Sequence, residues 1–294
     1  MDSHEIDFEI FGDDMQFVEI KLDPKETVVA EAEAMMMDNN IEMETIFGDG
    51  SIKSRASVSF FFFGKLGSAA KRVLTGESLF MTTFTNMGNE KEKVSFASTY
   101  PGKIIPIDLR NYEGKLICQK DAFLCTAKGV NIGIDFRKKL GTGFFGGEGF
   151  ILQKLEGDGM AFIHSGGTIV KKRLLKGQKI KVDTGCLVAM TKDIIFDIEY
   201  VKGVKNAVFW GDGVFFASLE GAREVWIQSL PFSRLASKVV SSTTQVIGSK
   251  DVGEGSVLGD LGDYFKIKPL FYNFIRNFLS IKLYIKSISV YNTT

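Results

Sequence analysis

The sequence predicts an all-β protein: three hairpin-containing pseudo-repeats forming a double-stranded β-helix or β-sandwich-like core, followed by a helical C-terminal tail. Three observations predict it. Apolar runs of four to eight residues, bounded by Gly, Asn, Asp or Pro, recur along most of the chain. Turn-forming Gly is abundant at 31 residues against five Pro, and 26 Phe supply bulk for strand interiors. A Gly-acid-x hairpin pattern repeats along the chain. With 294 residues, 45% hydrophobic and 24% charged, the chain is long enough to bury roughly 75% of its unfolded surface, which excludes disordered and fibrous classes.

Taken in order, the expected strands include "FVEIKL" at 17–22, "KIIPIDL" at 103–109, "KLICQ" at 115–119, "AFLCTA" at 122–127, "NIGIDF" at 131–136 and "IKVD" at 180–183. In the last of these, Ile180 and Val182 alternate with Lys179, Lys181 and Asp183, which gives one buried and one wet face. A helix is expected at 65–74, "KLGSAAKRVL", just before Gly76. After "SLPFSRLASKVV" the composition turns polar and Gly-rich, so a three-repeat β domain is placed at 1–240 and a linker with an amphipathic tail at 241–294. In that tail Phe271, Phe274, Ile275, Phe278 and Leu279 fall at helical spacing. Such a helix either docks on the core or a partner or lies in a membrane interface; with Arg276 and Lys282 inside it, it is not a spanning helix.

The repeat is the most informative feature. Residues 147–165, "GEGFILQKLEGDGMAFIHS", and 211–229, "GDGVFFASLEGAREVWIQS", share seven identities without a gap. A fainter third copy begins with "GESLFMTTF" at 76–84 and ends with "VSFAS" at 94–98. The repeated turn residues are Gly76 and Glu77, then Gly147, Glu148 and Gly149, then Gly211, Asp212 and Gly213. Glu77, Glu148 and Asp212 each cap their own turn, or else meet around a pseudo-threefold axis, where three carboxylates would need a cation or Arg between them.

The motifs "GESLF", "YPGKIIPIDL", "GGEGF", "VDTGCLVA" and "WIQSLPFSRLA" occur in that order. As a set they resemble the altered-inheritance-of-mitochondria protein twenty-four family, over about residues 4–236. The resemblance implies a fold similar to the trp RNA-binding attenuation protein, with three repeats in one chain. It also implies a homo-oligomer, since members are described as trimers, and it carries no catalytic residues. The fungal relative sits in mitochondria and affects inner-membrane organisation.

Charge is balanced overall, with 36 basic and 36 acidic residues, but unevenly placed. Residues 1–50 hold 15 acids against Lys21 and Lys25, a net of 2 − 15 = −13, so the remainder carries 34 − 21 = +13. An acidic first segment folded on a basic body explains this, and a basic face for an anionic partner is the sharper alternative. Its residues are Arg137, Lys138, Lys139, Lys171, Lys172, Arg173 and Lys176, with Lys179 and Lys181 beyond. Nucleic-acid binding through 137–181 is therefore the alternative function, with Phe144 and Phe145 as stacking platforms.

Catalytic and cofactor motifs are weak. "GTGFFG" at 141–146 satisfies GxGxxG but leads into a β-type run instead of a helix, so no dinucleotide site is expected. Two His and three scattered Cys make a zinc site improbable, and His164 and adjacent Ser165 point to opposite faces of a strand. Cys118, Cys125 and Cys186 lack CxxC spacing, and the acidic N-terminus shows no apolar leader, which indicates a reducing, cytoplasmic setting. The reading is a non-enzymatic, cofactor-free scaffold forming a homotrimer, with peripheral membrane contact through the tail. A small-ligand-binding β-barrel is the remaining alternative.

Overall fold

The computed structural model describes residues 3–31, 34–47, 80–138, 150–201, 214–236 and 238. The 65–74 helix and the 241–294 tail lie outside the described residues, as do all eight repeated turn residues and Lys139.

Nineteen strands make up the described chain: β1 (Asp7–Phe11), β2 (Phe17–Leu22), β3 (Thr27–Ala30), β4 (Met36–Met37), β5 (Ile41–Phe47), β6 (Phe80–Asn86), β7 (Glu92–Ala97), β8 (Gly102–Asp108), β9 (Lys115–Gln119), β10 (Phe123–Ala127), β11 (Asn131–Lys138), β12 (Phe150–Glu156), β13 (Met160–Gly166), β14 (Ile169–Arg173), β15 (Gln178–Asp183), β16 (Leu187–Thr191), β17 (Ile195–Val201), β18 (Val214–Gly221) and β19 (Glu224–Gln228). Short 3₁₀ turns occupy Leu109–Tyr112, Lys120–Ala122 and Thr184–Cys186, and one short helix begins at Phe232. Every pairing is antiparallel, so the all-β expectation holds, and the expected strands at 17–22 and 115–119 match residue for residue.

Eighteen of these strands obey one pairing rule three times. In the sets β2–β7, β8–β13 and β14–β19, the first and third strands pair with the sixth, and the second and fourth pair with the fifth. The repeated segments read from the sequence as hairpins are the fifth and sixth strands of each set, and here the structure corrects that reading. The two strands do not pair with each other but lie in neighbouring sheets, because the strands of this layered core take their partners from elsewhere in the set. Most strands of sets two and three correspond at an offset of 64 residues, Leu155 opposing Leu116 as Leu219 opposes Ile180, while the first strands are offset by 65, Ile104 opposing His164 as Ile169 opposes Gln228. The bulge between Phe123 and Cys125 likewise recurs between Leu187 and Ala189.

Neighbouring sets are joined edge to edge. The third strand of one set pairs with the second strand of the set before it, β10 with β3 and β16 with β9. Among the described residues four open sheets result, in the orders β1-β2-β7-β4, β5-β6-β3-β10-β13-β8, β11-β12-β9-β16-β19-β14 and β15-β18-β17. The barrel alternative is thereby corrected: each sheet ends in two edge strands, and the space between sheets is filled by side chains.

Three apolar cores separate the four sheets. Val18, Ile20, Leu22, Phe84 and Phe96 lie between the first and second sheets. Val29, Ile107, Leu116, Ile163 and Trp226 lie between the second and third. Phe150, Leu152, Val182, Ile198 and Leu219 lie between the third and fourth. The two central sheets are therefore covered on both faces, which explains their unbroken apolar strands. Successive residues of β9 alternate between cores, Leu116 and Cys118 facing one and Ile117 the other. The outer strand β15 keeps the alternation read from its sequence, with Val182 buried and Lys179 and Lys181 exposed.

The shared Gly of the repeat has a steric cause. Gly157 and Gly221 adopt φ values of 152° and 155°, a region L side chains avoid. A Cβ on Gly221 would also sit 2.9 Å from the Asp193 carbonyl oxygen, and one on Gly157 would sit 3.2 Å from the Cα of Val130.

Candidate functional site

The motifs separated along the sequence converge where the second set meets the third and the chain leaves β19. Gln228 closes this junction. Its Oε1 accepts from the Gly166 backbone N–H at 2.7 Å, and its Nε2 donates to the Gly185 carbonyl at 2.8 Å, so one buried amide ties β13 to the turn before β16. Asp183 caps that turn by accepting from the Gly185 N–H at 2.9 Å, and its other oxygen accepts from Arg234 at 3.1 Å. Gly167 donates to the Pro101 carbonyl at 2.9 Å. "YPGK", "VDTG" and "WIQSLPFSR" are thus parts of one packed joint.

His164 is the counterpart of Gln228 one set earlier. Only 3% of it is exposed, and its Nε2 has no hydrogen-bond partner. Tyr100 packs against it edge-on with ring centroids 4.4 Å apart, and Phe232 tilts onto Tyr100 at 5.5 Å. Burial drives the imidazole pKa down to about 4 despite a hydrogen bond with the Tyr100 main chain. Burial together with Asp121 pushes the Tyr100 phenol up to about 12. At neutral pH both groups are uncharged, and they fit a packed joint better than an acid–base pair.

The three thiols are equally withdrawn. Cys118, Cys125 and Cys186 are free and buried, and burial raises each pKa, with Glu31 adding to the effect at Cys118. Among the described residues no group of three His, Cys, Asp or Glu side chains could hold a metal ion.

The basic residues named from the sequence fall into separate places. Arg137 and Lys138 belong to β11, one edge of the third sheet, while Lys171, Lys172 and Arg173 belong to β14, its opposite edge. Five strand spacings of about 4.8 Å, roughly 24 Å, separate those edges. Lys171 is engaged: it bridges Glu224 at 2.9 Å, donates to the Tyr112 hydroxyl at 3.1 Å, and lies over the rings of Tyr112 and Trp226 at 5.4 and 5.1 Å. Burial lowers its pKa, but these partners reverse the balance and raise it. Lys172, Arg173 and Lys176 are exposed where the chain crosses from β14 in the third sheet to β15 in the fourth, beside a turn in which Leu174 is buried and Leu175 is 70% exposed. Lys179 and Lys181 converge on Glu199 at 3.6 and 2.5 Å, and the Lys181 hydrogen bond is the main cause holding the Glu199 carboxyl below its ordinary range.

The other notable surface is apolar. Met35, Met36 and Met37 run along β4 and its approach, each about half exposed, on the outer edge of the first sheet. Neither this run nor the Tyr100–Gln228 joint was singled out from the sequence. The "MMM" triplet, and the matching of Gln228 with His164 in the repeat, were the available signals.

The family model described as "Mitochondrial biogenesis AIM24" matches residues 8–230, from β1 to just past β19. The chain belongs to this family. The match ends beside the Gln228 joint, so the family's extent coincides with the three strand sets. An "Uncharacterized protein M6_Spy0233" of Streptococcus pyogenes is 30% identical over 175 residues, covering 59% of this chain and 68% of that protein. The crystal structure of protein SPYM3_0169 from Streptococcus pyogenes aligns with a TM-score of 0.60 at 23% identity, covering 81% of this chain and all of that one. That likeness speaks to the fold alone. Among the described residues no helix is long and apolar enough to cross a membrane.

Proposed function

We propose that the protein is a non-catalytic scaffold that works by presenting sheet edges and faces to other macromolecules, beginning with copies of itself as a homotrimer. The observation that carries this reading is the use made of polar groups in the interior. Gln228, Asp183 and Gly166 join strand sets, and His164, Tyr100 and the three cysteines are held neutral in packed surroundings. Catalysis requires an ionisable group poised near the working pH and reachable by substrate, and these groups are tuned the other way. The free thiols support a reducing cytoplasm as its setting. The phenylalanine spacing at 268–291 supports peripheral contact of the tail with a membrane surface.

Size-exclusion chromatography with light scattering tests the proposal, run on the full chain and on one ending at Lys238, each with and without anionic vesicles. A trimer in both chains, with vesicle binding lost on truncation, is the expected result. A monomer at all concentrations overturns the scaffold reading, and so does a substrate whose turnover a single substitution abolishes.

The exposed Lys172, Arg173 and Lys176 favour nucleic acid as a second reading. It requires RNA binding that weakens steeply with salt and is lost when those three residues are reversed in charge.

A further inference from the structure

We infer that copies of this chain associate head to tail, the outer edge of β4 in one copy adding to the outer edge of β15 in the next. This deepens the self-associating reading above and rests on it.

Between sets, the third strand joins the second strand of the preceding set at β10–β3 and again at β16–β9. Two strands are left over: β4, the third strand of the first set, and β15, the second strand of the last. Each is a terminal strand of its sheet, so among the described residues neither has a neighbour on its outer side. If the rule continues across two chains, β4 meets β15, and the outer sheets join as β17-β18-β15-β4-β7-β2, the order of the two six-stranded sheets within the chain, with β1 added beyond β2.

Exposure agrees with two unfilled positions. The equivalents of β4, namely β10 and β16, are buried at every residue, whereas Met36 and Met37 are 53% and 44% exposed. The equivalents of β15 are β3, buried throughout, and β9, buried at four of its five residues; β15 is buried at Val182 alone. Methionine suits such a place, being apolar and flexible enough to repack when a neighbour arrives.

The rule also sets the register. Cys125 opposes Ala30 and Ala189 opposes Cys118, while Thr126 opposes Val29 and Met190 opposes Ile117. Met36 stands opposite Ser95 as Cys125 stands opposite Phe162, and Ile180 opposes Leu219 as Leu116 opposes Leu155. Transferred through those equivalences, Met36 faces Val182 and Met37 faces Lys181 of the next copy. Charge favours the same partner. The segment bearing β4 carries the −13 excess of residues 1–50, and β15 carries Lys179 and Lys181 beside Lys176. Because the two edges differ, the contact is heterologous, and it closes into a ring or extends as a filament according to the rotation per copy.

The rival account is that both edges are blunted against pairing, β4 by its shortness and β15 by its lysines. Cross-linking decides between them. Met37→Cys and Lys181→Cys are made separately in the full chain, whose native thiols are buried, and treated with a short bis-maleimide alone and as an equimolar mixture. Tryptophan fluorescence and circular dichroism matching the unsubstituted chain confirm folding. Cross-linked dimers in the mixture and none in either variant alone is the expected result. No cross-link in the mixture overturns the inference, and if light scattering still shows a multimer the scaffold reading survives through another face. Met37→Cys linking to itself overturns it in favour of a symmetric contact. A doubly substituted chain linking only within itself overturns it in favour of closure inside one chain. As a second measurement, Lys179→Glu with Lys181→Glu lowers the scattering mass toward the 32.6 kDa of one chain, and an unchanged mass overturns the inference.

Discussion

His164 lies edge-on against Tyr100, with ring centroids 4.4 Å apart, and is kept neutral by burial at a pKa of about 4. The unfolded imidazole titrates near 6.5, so as pH falls through that value the unfolded chain takes up a proton that the folded chain refuses. The stability is fully present above the unfolded pKa and is lost as pH drops toward about 4, by up to about 3 kcal/mol. His164→Gln, which installs the residue found at the equivalent place in the third set, removes this sensitivity. Urea midpoints measured at pH 7 and 4.5 should converge in the variant relative to the unsubstituted chain; an equal acid loss in both would show that His164 does not govern it.

Gln228 makes two buried hydrogen bonds that no neighbour replaces. Gln228→Leu keeps much of the volume but leaves the Gly166 N–H and the Gly185 carbonyl unpaired, at a cost of about 2–4 kcal/mol. Denaturant unfolding measures that loss. A change below about 0.5 kcal/mol would mean that water or a shifted backbone satisfies both groups.

The two turn glycines at 177 and 221 separate conformational strain from crowding. Gly177 adopts φ +77° with open space where a methyl group would stand, whereas Gly221 at φ +155° has the Asp193 carbonyl oxygen 2.9 Å from the Cβ position. Gly177→Ala should therefore cost about 1 kcal/mol, from backbone strain alone. Gly221→Ala adds a clash with main chain that cannot rotate away, and its thermal midpoint should fall further. Equal losses would place the whole effect in the backbone angle.

How far the fold was legible in the sequence depended on whether the information was local. The bounds of β2 and β9 were readable because apolar runs ended in turn residues, and the wet face of β15 was readable because Lys179 and Lys181 alternate with Ile180 and Val182. The continuous burial of β3 and β9 also left a trace, since strands covered on both faces lose their alternation. Pairing between sets left none: nothing in periodicity tells β10 to join β3, some hundred residues earlier. For the same reason Arg137 and Lys171, grouped by sequence, proved to stand on opposite edges of one sheet. The joint at Gln228 combines side chains from four distant stretches, each ordinary in its own surroundings.

Thiol labelling offers a test of the layered core. Cys118 and Cys125 are wholly enclosed in central sheets, while Cys186 is 8% exposed near the fourth. All three pKa values are raised by burial, so the reactive thiolate is scarce as well as screened. A maleimide at neutral pH should leave the native chain almost unlabelled and modify all three residues in denaturant. Under mildly destabilising conditions Cys186 should label first, because opening the outer sheet exposes it while the two central sheets still cover the others. Mass spectrometry of partly labelled protein reads that order directly, and labelling of Cys118 before Cys186 would mean that the chain opens from its centre.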